Sequence, residues 1–207
     1  DDPDLKTLRL ESLRTLAPLL SDRMQLDQEH AVYQQVVDEV AGNDDPSARI
    51  LRMYTLNDHA VVYLRQQRDA EAEPLLRESL ASKQELFGDR HPMTLTAVNN
   101  LAGSLRQQDR PEEALPFYRE ALDGFLDIYD EAHPRSLVAR HNLGNCMLDL
   151  DRAEESVVLH RESLEGARQV LSDNGFMIGH FEMGLGKSEL ALGNPETALA
   201  LLESADL

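Results

Sequence analysis

The chain has 207 residues, 42% of them hydrophobic, and its 38 acidic residues against 20 lysines and arginines give a formal net charge of −18. A chain this negative is repelled by phosphate backbones and anionic lipids, so we expect no nucleic-acid partner and no membrane contact. A basic peptide or protein is a better match. The single cysteine excludes an internal disulfide, and no signal peptide or apolar run of ~20 residues is present, so we expect a cytoplasmic protein.

Residues 1–46 contain two predicted helices, LKTLRLESLRTLAPLL and EHAVYQQVVDEV. Neither has recognisable repeat residues, so we interpret this region as a degenerate repeat or an N-terminal capping hairpin. The segment GNDDPSA from Gly42 is a predicted loop, with Pro46 at the start of the next helix. Because the sequence opens with DDPDLK and no Met, we expect a fragment of a longer protein.

A repeated motif organises residues 47–207. HPMTLTAVNNLAGSL begins at His91, and HPRSLVARHNLGNCM begins at His133, 42 residues later. The same 42-residue frame aligns three columns of small residues: Ala60, Ala102, Gly144 and Gly186; Ala72, Ala114, Ser156 and Ala198; Ser79, Ala121, Ser163 and Ala205. Three columns in one register predict four repeats, at about 47–88, 89–130, 131–172 and 173–207, in one continuous array.

Each repeat is predicted to form two helices. Pro92 opens the first, the polar turn QQDR ends it, and Pro111 opens the second, followed by two glutamates that suit a helix N-terminus. The small residues mark places where two helices cross closely. One hairpin cannot bury both its faces, whereas stacked hairpins can. The predicted fold is therefore all-α, with tandem helix-turn-helix repeats stacked into a right-handed superhelical solenoid.

These motifs resemble the tetratricopeptide repeat. The pattern HPxTLxxxNNLA with its 42-residue spacing, together with RPEEALPFYREAL and HNLGNCM, resembles the kinesin-light-chain variety. The resemblance covers roughly residues 47–207 and is weaker near Gly175, where NGFMIG replaces the His-Pro opening. It implies a protein–protein interaction scaffold of bacterial type, the interaction module of a larger signalling or regulatory protein.

Residues that could suggest catalysis or ligand binding have structural interpretations. His91 and His133 recur at one repeat position, which indicates capping of the following helix. Cys146 has no basic neighbour to activate it and is predicted to be a buried thiol. GLGKS from Gly184 is too short for a phosphate-binding loop. With no metal-ligand spacing and no nucleophile–base pattern, we predict no enzyme, no metal and no cofactor.

The candidate binding surface is the groove that, by the resemblance, the first helices of the repeats line. Asparagine amides recur there, and an amide that both donates and accepts suits an extended peptide backbone. The alternative is that they only solvate an exposed helix face. Some members of the family bind two carboxylates of a peptide with pairs of Lys and Asn side chains. We do not expect that specificity here, because Lys187 is the only groove lysine and Val61 stands where an Asn is required. The predicted peptide-binding residues are Asn57, Arg65, Asn99, Arg106, His141, Asn145 and Lys187.

A second function is kept open: self-association, or autoregulation of the parent chain. The last predicted helix, PETALALLESA from Pro195, presents Leu199, Leu201 and Leu202. A terminal repeat normally has a polar outer face. We therefore expect this open C-terminal end to be covered by a further helix or to support a homo-oligomer.

Overall fold

The computed structural model describes residues 3–20, 26–171 and 175–205, and all regular structure in these ranges is helical. The elements are α1 (Pro3–Leu16), a short 3-10 helix (Ala17–Leu20), α2 (Leu26–Glu39), α3 (Pro46–Arg65), α4 (Asp69–Phe87), α5 (Pro92–Gln107), α6 (Pro111–Ile128), α7 (Pro134–Asp149), α8 (Ala153–Val170), α9 (Gly175–Ala191) and α10 (Pro195–Ala205). The predicted all-α class is confirmed. Asp45 caps α3 by accepting from the backbone N–H of Ser47, as expected for a helix that begins at Pro46.

The helices form two compact units, Asp1–Ala97 and Val98–Leu207, here the N-terminal and C-terminal units. In the N-terminal unit, α1 packs on α2 and α3, and α3 packs on α4. The two helices predicted within residues 1–46 are α1 and α2. Two clusters of buried apolar side chains hold these elements together: Leu10, Val36, Val40, Ala48 and Leu51 in one, and Ala17, Tyr33 and Val62 in the other.

In the C-terminal unit each helix from α6 to α10 packs on the next, and α7 also contacts α9. This is the packing expected of stacked hairpins, in which a repeat's first helix contacts its own partner helix and the first helix of the next repeat. The core consists of Leu137, Val157, Leu164, Ala167, Phe181 and Leu185. The division of the chain into four repeats remains a prediction.

The small-residue columns lie where helices cross. All their members are buried, apart from Ala205, whose side chain lies outside the described residues. Two serines in these columns also bond across the crossing: Ser79 Oγ donates to the Met53 carbonyl at 3.0 Å and Ser156 Oγ to the Gly144 carbonyl at 2.8 Å. A buried hydroxyl is tolerated in a packing column because it finds a backbone acceptor on the neighbouring helix.

The histidines before proline cap helices, as predicted. His133 is the N-cap of α7, and its Nδ1 accepts from the backbone N–H of Arg135 at 3.2 Å. His91 Nδ1 accepts from the N–H of Met93 in the same way. The ring four residues earlier stacks on each cap: Tyr129 on His133, with centroids 3.9 Å apart, and Phe87 on His91, at 4.8 Å. Aromatic packing thus fixes each imidazole at the helix N-terminus.

A left-handed residue follows the first helix of each of the four hairpins from α3 to α10. Gln67, Asp109, Asp151 and Gly193 all have positive φ, between 56° and 81°, and follow one another at 42-residue intervals. The next N–H closes the turn on a carbonyl five residues back, for example Arg110 on Leu105 at 3.1 Å. This is the helix-ending Schellman arrangement, which favours glycine at the left-handed position. Only the last of the four hairpins has one.

Candidate peptide-binding surface

The exposed face of α7 is a stripe of residues spaced by three and four. Its members with side chains at least partly open to solvent are Arg135, Val138, Asn142, Asn145 and Asp149. On α9 the corresponding stripe contains His180, Met183, Lys187 and Leu190. These stripes combine two amides, the charged side chains of Arg135, Asp149 and Lys187, the imidazole of His180 and isolated apolar side chains.

Asn142 and Asn99 are joined side chain to side chain. Asn142 Nδ2 donates to Asn99 Oδ1 at 3.2 Å, which links α7 to α5 within the C-terminal unit. The bond uses the donor of one amide and the acceptor of the other. The Oδ1 of Asn142 and the Nδ2 of Asn99 therefore retain an acceptor and a donor, the pair that a peptide backbone requires.

Asn145 and Lys187 have no hydrogen bond or ion pair within residues 3–20, 26–171 and 175–205. Asn145 is half-buried one turn beyond Asn142, and Lys187 is exposed on α9. A half-buried side chain such as Asn145 is already held by packing, so it loses little conformational entropy when its free hydrogen-bonding groups bind a ligand. We define the asparagine surface as Asn99, Asn142, Asn145 and Lys187.

His141 requires a correction. It was predicted to line the binding surface, yet it is only 2% exposed. Its ring packs edge-on against Phe181, with centroids 5.2 Å apart, and lies beside the rings of His160 and His180. Burial lowers the pKa of His141 to about 2. A neutral imidazole in this position is part of the packing between α7 and α9.

Arg106 is engaged within the unit. Its Nη1 donates to Asp149 Oδ2 at 2.9 Å, and its guanidinium also bonds the Tyr118 hydroxyl. Burial raises the pKa of Tyr118 to about 12, so the phenol stays neutral. Arg106 therefore ties the end of α5 to α6 and α7, and only its partly exposed edge could meet a ligand.

In the N-terminal unit, Asn57 and Arg65 have partners on neighbouring helices. Asn57 Oδ1 accepts from Lys83 Nζ at 2.8 Å, and Lys83 is itself buried. Arg65 donates to Glu29 Oε1 at 2.9 Å, where the glutamate side chain is fully buried. These two predicted site residues thus hold α3 to α4 and to α2. Removing Arg65 would leave a buried carboxylate without its cation.

Two protein-family models match segments of this chain. A protein-family model described as the tetratricopeptide repeat matches residues 50–127 and 98–169, and a second model with that description matches residues 180–204. The matched segments cover more than half of the chain. The chain belongs to the tetratricopeptide repeat family. A search of curated proteins found no match.

Several solved structures are similar to this one over nearly the whole chain. BtubC (BKLC) from P. vanneervenii has a TM-score of 0.84 at 21% identity, over 99% of this chain and 81% of that chain. A putative kinesin light chain from Podosopora anserina with nearly identical TPR-like repeats has a TM-score of 0.77 at 21% identity, over 97% and 94%. The apo form of RapI has a TM-score of 0.79 at 15% identity, over 95% and 69%. These likenesses confirm the predicted kinesin-light-chain-like repeat fold.

The tetratricopeptide repeat is typically a scaffold for protein–protein interaction without catalytic activity. Cys146 is buried, as predicted, and burial raises the pKa of its thiol to about 11, which opposes thiolate chemistry. Within the described ranges, no set of three or more His, Cys, Asp or Glu side chains is arranged to hold a metal ion. No helix there is both long enough and apolar enough to cross a bilayer.

Asn142 is the surface residue that sequence reasoning missed. The 42-residue frame aligns it with Asn100, the second residue of the pair NN, whereas the prediction followed Asn99 to His141. The pair Asn99-Asn100 becomes His141-Asn142 in the next repeat, so the asparagine that the two repeats share is the second residue of the pair. A helical wheel of α7 alone would have found it, since Val138, Asn142, Asn145 and Asp149 share one face.

Proposed function

We propose that the C-terminal unit binds an extended peptide segment of a partner protein along the asparagine surface. The observation that carries this proposal is that, within the described residues, Asn99 Nδ2, Asn142 Oδ1, the Asn145 amide and the Lys187 ammonium have no hydrogen-bond partner. A peptide in extended conformation presents an N–H and a C=O at each residue, and amide side chains on neighbouring helices can bind both. The proposal concerns recognition alone and includes no chemical step.

The charge of the surface refines the expected partner. A net charge of −18 favours a basic protein for the acidic exterior. On the asparagine surface itself the charged residue is Lys187, and Asp149 nearby is paired with Arg106. We therefore propose that the peptide's backbone is bound by the asparagines and that basic regions of the same partner contact the acidic exterior. Because the contacts between basic regions and the acidic exterior are electrostatic, the affinity should fall as salt is added.

The test is binding of a randomised peptide library to the purified chain, followed by measurement of the dissociation constants of the selected peptides. Asn142→Ala with Asn145→Ala should weaken binding about tenfold or more, because each lost interfacial hydrogen bond costs on the order of 1 kcal/mol. The matched control is Gln169→Ala, an exposed amide on α8, which should bind as wild type does. Equal affinities for the double variant and wild type would place recognition elsewhere.

Self-association is the second candidate function. Leu199 on α10 is 58% exposed, an apolar side chain on the last described helix. Light scattering of the chain across a concentration series distinguishes the two functions. A constant monomer mass favours peptide binding, whereas a mass that doubles with concentration and reverts in Leu199→Ser favours a homo-oligomer.

A further inference from the structure

Three histidines come together where α7, α8 and α9 meet. The ring centroid of His141 lies 4.8 Å from that of His160 and 4.5 Å from that of His180. His141 and His160 are buried, and His180 is exposed. We call these three residues the histidine junction. It joins the third predicted repeat, which contains α7 and α8, to the hairpin of α9 and α10.

Two glycines make room for the buried imidazoles. A Cβ at Gly144 would lie 2.8 Å from His160 Nε2, and a Cβ at Gly184 would collide with the ring of His141. Only a residue without a side chain allows each ring this position. The two imidazoles therefore fill the space where α7 approaches α8 and α9, and the crossings depend on both rings staying in place.

Both ring nitrogens of His160 are bonded. Its Nε2 lies 3.2 Å from the His141 carbonyl, which can only accept, so Nε2 carries a proton. Its Nδ1 lies 2.7 Å from Ser188 Oγ on α9, a hydroxyl that is also 3.2 Å from the Gly184 carbonyl. Ser156 Oγ, 2.7 Å from Ser188 Oγ, completes the buried cluster. His160 thus bonds α8 to both α7 and α9.

Among the described residues, no unpaired anion offsets a charge on His141. Its Nδ1 is buried and has no hydrogen-bond partner in the described part of the chain. The groups that act on its charge are His160 from α8, His180 and Lys187 from α9, and Arg106 from α5, all of them bases. Tyr118 of α6 bonds Arg106, and the α9 carboxylates Glu182 and Glu189 are paired with Arg168 and Arg161 of α8.

We propose that the histidine junction is a pH-sensitive switch: mild acid releases the hairpin of α9 and α10 from α7 and α8 while the rest of the C-terminal unit stays folded. In the closed form His141 and His160 are buried beside the bases His180 and Lys187 and stay neutral, whereas in the open form both reach water and bind protons. Burial, which lowers the pKa of His160 to about 4, supports this difference. The switch does not depend on what the asparagine surface binds.

The expected size of the effect follows from linkage. A histidine that is neutral when closed and has an ordinary pKa of about 6.5 when open favours opening about tenfold more at pH 5.5 than at pH 7.5. Two such histidines give about 100-fold. Hydrogen exchange measured by mass spectrometry on the whole chain reports this opening. After correction for the intrinsic rate, protection of α9 should fall about 100-fold between these pH values.

Helix α6 is the internal reference, because it lies in the same unit and contributes no histidine to the junction. Its protection should change much less than that of α9. Equal losses in α6 and α9 would mean unfolding of the whole unit and would overturn the proposal. Unchanged protection of α9 would overturn it as well. Both comparisons use the wild-type chain, so the proposal can fail without any variant.

The chain itself supplies matched replacements. The residues that precede His141 and His160 by one repeat are Asn99 and Tyr118, so the test variant is His141→Asn with His160→Tyr. It should lose the pH dependence of α9 protection. His133→Asn, which removes a histidine of α7 outside the junction, should retain it. A test variant that still loses about 100-fold protection in acid would overturn the assignment to these two residues.

Discussion

The amide of Asn142 donates to the amide of Asn99 at 3.2 Å, and the two residues are separated by 43 positions, one more than the repeat period. The contact therefore joins neighbouring columns of the repeat. His141, the true counterpart of Asn99, turns inward instead, toward Phe181 and α9. Asn99, Asn142 and Asn145 consequently belong to three columns of the repeat.

The first prediction separates surface from packing. Asn142→Ala with Asn145→Ala should change the free energy of unfolding by less than about 1 kcal/mol, because both side chains are partly solvated. Ala102→Leu should cost about 1–3 kcal/mol, since Ala102 is fully buried in a packing column and a larger side chain must displace a helix. Urea denaturation followed by circular dichroism measures both. Comparable losses in the two variants would contradict the distinction.

Much of the fold could be predicted because the residues that determine helix starts and helix packing recur at the same positions of each repeat. The small-residue columns, the proline starts and the histidine caps are local signals, and all appear as expected. The binding surface was harder, because a 42-residue frame aligns positions and does not say how far each helix is rotated. His141 occupies an asparagine position but is apolar enough when neutral to be buried against Gly184. That outcome depends on Gly184 of α9, whose counterparts one and two repeats earlier are Asn142 and Asn100.

The second prediction concerns the N-cap of α7. His133→Ala removes the acceptor for the Arg135 N–H and the ring stacked on Tyr129, so the free energy of unfolding should fall by about 1–2 kcal/mol. His133→Asp keeps an acceptor and should recover part of the loss. The measurement is urea denaturation at pH 7.5. An alanine variant as stable as wild type would show that the cap contributes nothing.

The third prediction uses the left-handed turn. Gln67 has φ of 58°, which costs a side-chain-bearing residue roughly 1–2 kcal/mol, against about 1 kcal/mol of extra chain entropy for glycine in the unfolded state. Gln67→Gly should therefore raise stability by up to about 1 kcal/mol. The reciprocal change, Gly193→Ala at the equivalent turn, should lower it by about 1 kcal/mol. Thermal unfolding of the two variants should show melting temperatures shifted in opposite directions.

The fourth prediction concerns acid and the N-terminal unit. His59 is 3% exposed, its Nε2 lies 3.0 Å from His30 Nδ1, and its own Nδ1 has no partner in the described part of the chain. Burial lowers the pKa of His59 to about 4, with the charge of His30 acting in the same direction. The folded state thus holds a neutral ring where the unfolded state, with a pKa of about 6.5, would bind a proton.

The sign and the window follow from these two pKa values. The contribution of neutral His59 to stability is complete above pH 6.5 and is lost progressively as the pH falls from 6.5 toward 4, by about 1.4 kcal/mol at pH 5.5. The three later repeats place Leu101, Leu143 and Leu185 at this position, so His59→Leu is a replacement that the fold already uses. The free energy of unfolding should be measured in urea at pH 7.5 and 5.5 for both proteins. Wild type should lose about 1.4 kcal/mol more than His59→Leu between the two pH values, and an identical loss in both would exclude His59 as a source of acid sensitivity.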